Sequence, residues 1–455
     1  MKKKSLTRRN FVKKSSAAAS GIILASVGMT SLGSTIIREG DKPAILGGTP
    51  VRPQGLVPGK KWPVYDDSDI QLYVEAFRNN KWSEFDGNEK NFTARFEKMY
   101  ANLMGTGFCA LTNSGTNALE AAQRALDIGP GDEVITQTNT FIATAQSSLN
   151  VFALPVFVDS DPETFQMDAD RIEERINDRT RAILPVHIGG SAASMDKILA
   201  VARRHKLFVI EDACQAHMGE WRGKKLGSLG DMGCFSFQAF KSLCGGEGGA
   251  VIGNDELLLA RVGGYTNNGR DPHGKDRYFT GANQRMTPFV AAVLMGQIRR
   301  LETLCRLRDE NAQHLEKLLS EIKGVSPVKK YEGQTRRAYY EYQLIYDKEF
   351  FSGLPKGKFQ EAMGAEGIEL GNGIDSSLHS SLEIEAYLTS GSFQRIYSKE
   401  RLGKYRKENH CPVNEKIEKE IGLSLPQITF HGSKKDMEDI VGAIIRIQKH
   451  SADLK

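Results

Sequence analysis

The chain has 455 residues, 40% hydrophobic and 26% charged, with a formal net charge of +5. This is a globular composition, and the length suits one large domain with one or two smaller ones. Seven of the positive charges fall within residues 1–14, where there is no acid; the body beyond holds 54 basic against 56 acidic residues, which excludes the basic footprint of a nucleic-acid binder.

The chain opens with Thr7-Arg8-Arg9-Asn10-Phe11-Val12-Lys13, followed by a weakly apolar run from Ser15 to Leu32. Paired arginines ahead of a hydrophobic stretch diluted with Ser, Gly and Ala read as a twin-arginine export signal over residues 1–36. The chain is therefore expected outside the cytoplasm, touching membrane only through this signal, which is cleaved between Ala25 and Ile36 or kept as an anchor. No other stretch approaches membrane-spanning length. The six cysteines form no close metal-type pair. Because the twin-arginine route carries folded proteins out of a reducing cytoplasm, free and mostly buried thiols are expected.

Residues 37–65 read as an irregular arm. Asp66 and Asp69 can cap a helix with Ile70, Val74 and Phe77 on its apolar face. A second helix is predicted from about Asn88 to Leu103. Strands then alternate with helices: Phe108–Leu111, Glu133–Thr136, Leu154–Val158, Arg181–Leu184 and Leu207–Ile210 are strands, separated by helices over Thr116–Leu126, Ile142–Val151, Ala169–Ile176 and Met195–His205. Strands apolar on both faces predict a mostly parallel sheet covered by helices on both sides. Ligands of such α/β sheets bind at the carboxyl ends of the strands. A large domain is expected over residues 66–287, a connecting helix within 288–330, and a smaller α+β domain over 331–455. In the last, Tyr340–Tyr346 reads as a strand, and Lys358–Glu366, Glu415–Ile421 and Lys434–Lys449 as helices.

The strand ends carry the chemistry. Cys234 to Phe237 reads as a strand leading to Lys241, and Gly245, Gly246, Gly248 and Gly249 as a tight loop that permits close backbone approach. A poorly solvated lysine there can act as a neutral amine toward a carbonyl. Thr112-Asn-Ser-Gly-Thr116 opens a helix, and free N–H groups with the helix dipole suit an anion. Asp212 follows a buried strand, where a carboxylate needs a cationic partner. Phe141 follows another strand and offers a flat face. A phosphate cradle, a carboxylate for a ring nitrogen, an aromatic face and an amine for an aldehyde together fit pyridoxal 5'-phosphate. Each element alone has an ordinary structural reading: a helix cap, a buried ion pair, core packing, a surface lysine. The set in this order is what points to the cofactor.

The motifs Asn113-Ser-Gly-Thr-Asn-Ala-Leu119, Thr140-Phe-Ile-Ala-Thr144, Glu211-Asp-Ala-Cys-Gln-Ala-His217, Phe235 to Val251 and Gly281-Ala-Asn-Gln-Arg-Met286 resemble the DegT/DnrJ/StrS sugar aminotransferases. The resemblance spans roughly Ile45 to Ile447. It implies a fold-type I aminotransferase architecture and a homodimer with shared active sites. By matching position, Lys241 is the Schiff-base lysine and Asp212 the partner of the pyridine nitrogen. Gln215 lies near the ring hydroxyl, and Gly115, Thr116 and Ser236 hold the phosphate. Phe141 stacks on the ring, and Asn283 reaches the cofactor phosphate of the neighbouring subunit. No metal is expected. The arm Leu46-Gly-Gly-Thr-Pro-Val-Arg52 and Gly246-Glu-Gly-Gly249 resemble the branch acting on cyclitol ketones or making aminohydroxybenzoate. The implied reaction moves an amino group from glutamate or glutamine to a keto-sugar or keto-cyclitol. Val186-His-Ile-Gly-Gly190, Cys214, Met218 and Asn268-Gly269 depart from the family's pattern on the substrate side. A pyridoxal-phosphate sugar dehydratase of this family would carry histidine in place of Lys241. A non-catalytic exported homologue would have no need of Lys241, Asp212 and Gly115-Thr116 together.

Overall fold

The computed structural model describes residues 42–455, except 54, 56, 57, 60, 85–90, 271–279 and 374–376. The export signal expected over residues 1–36 lies outside the described residues. Among the described residues, no helix is long and apolar enough to cross a membrane.

Helix α1 (Asp67–Arg78) is capped by Asp66, and α2 (Phe92–Met104) by Asn91. The alternating region follows: β1 (Phe108–Thr112), α3 (Gly115–Ala125), β2 (Glu133–Gln137), α4 (Ile142–Asn150), β3 (Leu154–Val158), β4 (Thr180–Leu184), α5 (Met195–His205) and β5 (Phe208–Asp212). The short strands β6 (Glu220–Trp221) and β7 (Lys224–Lys225) precede β8 (Met232–Ser236), β9 (Gly249–Gly253) and α6 (Glu256–Thr266). The main sheet has seven strands in the order β1-β9-β8-β5-β4-β2-β3. Strand β9 is antiparallel to both its neighbours, and every other strand runs one way. The region predicted as a helix over Ala169–Ile176 is a 3-10 helix over Ala169–Arg175.

Strands β2, β3, β8 and β9 are buried at every position. Successive residues of a strand point to opposite faces, and the sheet feeds two cores in that way. Ile135, Ile183, Val209, Phe235 and Ile252 enter the core under α2, α5 and the first half of α7 (Pro288–Leu319). Their neighbours Val134, Ala182, Ile210, Cys234 and Val251 enter the core under α3 and α6. This two-sided burial is why the strands read as continuous apolar runs.

The apolar face expected on α1 is not its buried face. Asp69, Leu72 and Ala76 point inward, while Ile70 is 50% and Phe77 52% exposed. Asp69 is turned in by Arg300 of α7, whose Nη1 and Nη2 donate to its two carboxylate oxygens at 3.0 and 2.6 Å. Gly296 makes room, since a Cβ there would lie 2.0 Å from Asp69 Oδ1. A bidentate ion pair and a close helix approach thus override apolar periodicity.

After α7 come β10 (Val325–Pro327), β11 (Gln334–Arg336), β12 (Glu341–Tyr346), α8 (Lys356–Ala365), α9 (Leu382–Leu388), α10 (Gly391–Ile396), α11 (Lys399–Glu408), α12 (Pro412–Lys416), β13 (Gly422–Pro426) and α13 (Lys434–Lys449). The three-stranded sheet β10-β12-β13 carries a third core against α8, α13 and the last turns of α7. Helix α7 therefore joins this core to the main-sheet core under α2 and α5. The C-terminal stretch is not one separate unit over 331–455: Ile384, Leu388, Phe393, Tyr397 and Tyr405 pack on Leu149, Leu154 and Phe157 at the edge of the main sheet. The arm is not free either. Ala44 and Val51 donate backbone N–H groups to the buried Glu366, which also pairs with Arg446.

All six cysteines are free thiols; Cys109 and Cys214 are partly exposed and the other four buried.

Candidate active site

The carboxyl ends of β1, β2, β5 and β8 open on one cavity of about 400 Å³. Gly115, Thr116, Phe141, Asp212, Gln215, Ser236 and Lys241 all line it. Asn283, expected at the neighbouring subunit's cofactor, does not line this cavity. It lies exposed beside Asn267, with which it forms an isolated bridge.

The β1–α3 turn builds the anion cradle. Ser114 caps α3 by accepting from the Asn117 N–H at 3.2 Å. Gly115 and Thr116, the first two residues of α3, line the cavity, and a helix start favours negative charge. Gly115 is required by space: a Cβ there would meet Ser236 Cβ at 2.7 Å and Cys214 Sγ at 3.1 Å. Behind the cradle, the buried His217 donates from Nε2 to the Ser236 carbonyl at 2.9 Å. Its Nδ1 accepts from the Tyr100 hydroxyl at 3.0 Å. Burial pushes the His217 pKa down to about 4, so a neutral ring holds the end of β8.

Asp212 ends β5 and is only 4% exposed. Thr144 Oγ1 donates to its Oδ2 at 2.8 Å and the Cys214 N–H to its Oδ1 at 3.1 Å. Thr140 lies 2.7 Å from the Thr144 hydroxyl, which extends the chain of donors. Among the described residues Asp212 has no ion pair, although a buried carboxylate held only by neutral donors is expensive. One strand away, His187 Nε2 donates to Glu211 at 2.9 Å, and the Gly227, Leu229 and Gly230 N–H groups complete that carboxylate. Glu211 is thus satisfied structurally, whereas Asp212 faces the cavity.

Lys241 is half-buried, less sequestered than its glycine-rich setting suggests, and its Nζ sits 4.3 Å from the centre of the Tyr340 ring. Its loop is braced from outside. Trp62 Nε1 donates to the Ala239 carbonyl and Gln427 Nε2 to the Phe240 carbonyl, each at 2.6 Å. Ser242 and Arg308 both donate to Gln427 Oε1. The glycine cluster serves the chain itself as much as any ligand: a Cβ on Gly249 would lie 2.3 Å from the Ser114 carbonyl oxygen. Gln215 is fixed by the Gly189 N–H on its Oε1 at 2.7 Å. Phe141 is 57% exposed at the cavity wall. Thr144 and Tyr340 were given no role in the site by sequence, and Cys214 was marked only as a departure on the substrate side. Thr144 stands one helical turn after Phe141, which is a readable signal; Tyr340 joins the cavity only through the tertiary fold.

A mostly parallel sheet with this set of groups at its carboxyl edge defines a fold-type I aminotransferase. The chain belongs to the DegT/DnrJ/EryC1/StrS aminotransferase family, whose sequence profile matches residues 64–380, and it is a transaminase. It is 34% identical over 437 residues to the L-glutamine:2-deoxy-scyllo-inosose aminotransferase of Streptoalloteichus tenebrarius, covering 90% of this chain and 99% of that protein. Two solved structures are similar across most of the chain. One is 3-amino-5-hydroxybenzoic acid synthase, with a TM-score of 0.73, 28% identity, and coverage of 86% of this chain and 99% of that one. The other is an aminotransferase from Psychrobacter cryohalolentis, with a TM-score of 0.74, 27% identity, and coverage of 87% and 100%.

Proposed function

We propose that this chain moves an amino group from glutamine to the keto group of a cyclitol or related sugar, with pyridoxal phosphate held in the cavity. The observation that carries the reading is Asp212, a buried carboxylate with no ion pair among the described residues, in the same cavity as Lys241. The residues fit the cofactor the family implies. A protonated ring nitrogen would give Asp212 its missing cation, and Gly115 leaves the space at Ser236 that a phosphate cradle needs. When bound, the cofactor supplies an electron sink for the carbon–hydrogen bond that breaks.

The chain's own residues would do the rest. Asp212, oriented by Thr144 and the Cys214 N–H, would keep the proton on the ring nitrogen. The Nζ of Lys241 would take a proton from the donor's α-carbon and return one in the second half-reaction. Ser114 to Thr116 and Ser236 would bind the phosphate, Gln215 would orient the ring hydroxyl, and Phe141 would cover the ring face. Glutamine as donor and a keto-cyclitol as acceptor rest on the name of the Streptoalloteichus relative. The test incubates the cofactor-loaded protein with glutamine and a panel of keto-cyclitols and keto-sugars, with products read by mass spectrometry. Amination of a cyclitol ketone, absent in Lys241→Ala, is expected. Equal turnover in Lys241→Ala, or no amination across the panel, would refute it.

The working unit is proposed to be a homodimer. Ile70, Tyr73, Val74, Phe77 and Trp82 are exposed large apolar side chains near one another in sequence, and the Phe289 ring lies tilted against Tyr73 and Phe77 and edge-on to Trp82. Such a patch marks an interaction surface. Asn283 outside its own cavity is consistent with a role in the neighbour's. Export by the twin-arginine route is proposed from Arg8-Arg9 and the apolar run behind them. Lysines at both positions should abolish export of a reporter fused to residues 1–36; unchanged export would refute the route.

A further inference from the structure

Away from the cavity, two imidazoles and a carboxylate converge where the C-terminal stretch meets the main sheet. His379 lies in the short turn Leu378–Ser380, His410 directly precedes the Cys411 cap of α12, and Glu415 is on α12. His379 Nε2 stands 3.2 Å and His410 Nε2 3.4 Å from the same oxygen, Glu415 Oε1. The three ligand atoms all lie within 4.8 Å of one another. In a tetrahedral zinc site with bonds of about 2.05 Å, adjacent ligand atoms stand about 3.3 Å apart. Both distances to Glu415 match that edge.

The surroundings orient the ligands as an outer shell does. His379 Nδ1 lies 3.0 Å from Thr138 Oγ1, which also accepts the His379 backbone N–H at 3.1 Å. A hydroxyl can donate to Nδ1 or accept from it, so the imidazole can turn its Nε2 lone pair to an ion without losing its outer partner. Lys419 Nζ occupies the other carboxylate oxygen, Oε2, at 2.9 Å, leaving Oε1 as a single ligand atom. His379 is buried and fixes the geometry, while the exposed side of His410 gives an entry path and room for a water as fourth ligand.

We propose that His379, His410 and Glu415 bind one divalent cation of the zinc class, stapling the Leu378–Ser380 turn and α12 to Thr138 just beyond β2. Two imidazoles and one carboxylate are a zinc-type donor set. None of the three lines the amino-transfer cavity, so the proposal stands apart from the proposed function.

The test uses cofactor-loaded protein, purified without a polyhistidine tag and stripped with chelator. It is dialysed against zinc chloride and its metal counted, and cobalt(II) chloride is added separately as a spectroscopic probe. One zinc per chain is expected, with the intense visible bands of tetrahedral cobalt. The melting temperature should rise with zinc concentration. His410→Ala and Glu415→Gln should each lose at least about tenfold in zinc affinity, together with the cobalt bands and the zinc-dependent rise. His410→Ala, at an exposed position, should keep the zinc-free melting temperature, which separates ligand loss from misfolding. No zinc uptake by the unsubstituted protein, or uptake unchanged in both variants, means the trio is a hydrogen-bonded cluster only and overturns the proposal.

Discussion

Asp212→Asn separates function from stability most sharply. In the protein without cofactor, the Asp212 carboxylate is buried against two neutral donors, the Thr144 hydroxyl and the Cys214 N–H. An uncompensated buried charge costs about 3–5 kcal/mol, and a mismatched amide hydrogen bond about 1–3. Asparagine is nearly isosteric and removes the charge, so the cofactor-free variant should gain up to about 4 kcal/mol. With about 2.1 cal/mol/K of unfolding entropy per residue over the 40–455 unit, that is a rise in Tm of at most about 5 °C. Turnover should move the other way. A charge placed against one that develops in the transition state contributes about 3–4 kcal/mol, hence a loss of about 10²- to 10³-fold in kcat. The assay pairs calorimetry with and without cofactor with single-turnover amination. A variant of undiminished kcat, or one less stable than wild type without cofactor, would refute the reasoning.

Gly115→Ala gains up to about 1 kcal/mol of helix propensity but forces a Cβ to 2.7 Å from Ser236 Cβ, and overpacking costs about 1–3 kcal/mol. The expected result is a small net loss of stability with cofactor affinity reduced at least about tenfold, read by fluorescence titration; unchanged affinity would remove the cradle from its role. His217 should leave a signature in pH. Its folded pKa of about 4 lies below an unfolded value of about 6.5, so its stabilisation is complete above pH 6.5 and is lost as pH falls toward 4. That loss is about 3 kcal/mol, and urea midpoints of His217→Gln should fall less steeply than wild type across this window; parallel slopes would contradict the burial argument. Ile70→Asp with Phe77→Asp should yield monomers by sedimentation, and a stable dimer would mean the partner sits elsewhere.

Much of the fold could be read because both faces of the main sheet are dry. Val134-Ile135 and Cys234-Phe235 feed opposite cores, and such runs are unmistakable as strands. The reversed direction of β9 could not be read, since an apolar run carries no polarity. Helices α9 to α11 were missed because they are short and largely solvated, with few inward residues to set a period. On α1 the sequence pattern pointed to the wrong side: Ile70, Val74 and Phe77 form a genuine apolar stripe, but an apolar stripe says only that something covers it. The site was legible wherever a residue closes a strand or stands in the loop just beyond it: Asp212 and Ser236 end β5 and β8, and Phe141 caps α4 shortly after β2. Tyr340, and the Trp62 and Gln427 braces on the Lys241 loop, depend on contacts across 99 to 187 positions of sequence, which no local pattern encodes.

The return of residues 378–411 to the edge of the main sheet sets a rule for building hybrids with relatives. A crossover near residue 330, where the sequence invites one, would bring in foreign α9 to α11 and ask them to fit the resident Leu149, Leu154 and Phe157. It would also divide α7 from the helices that share its far end. Exchanges should instead carry α4, β3 and the 378–411 segment together as a single graft.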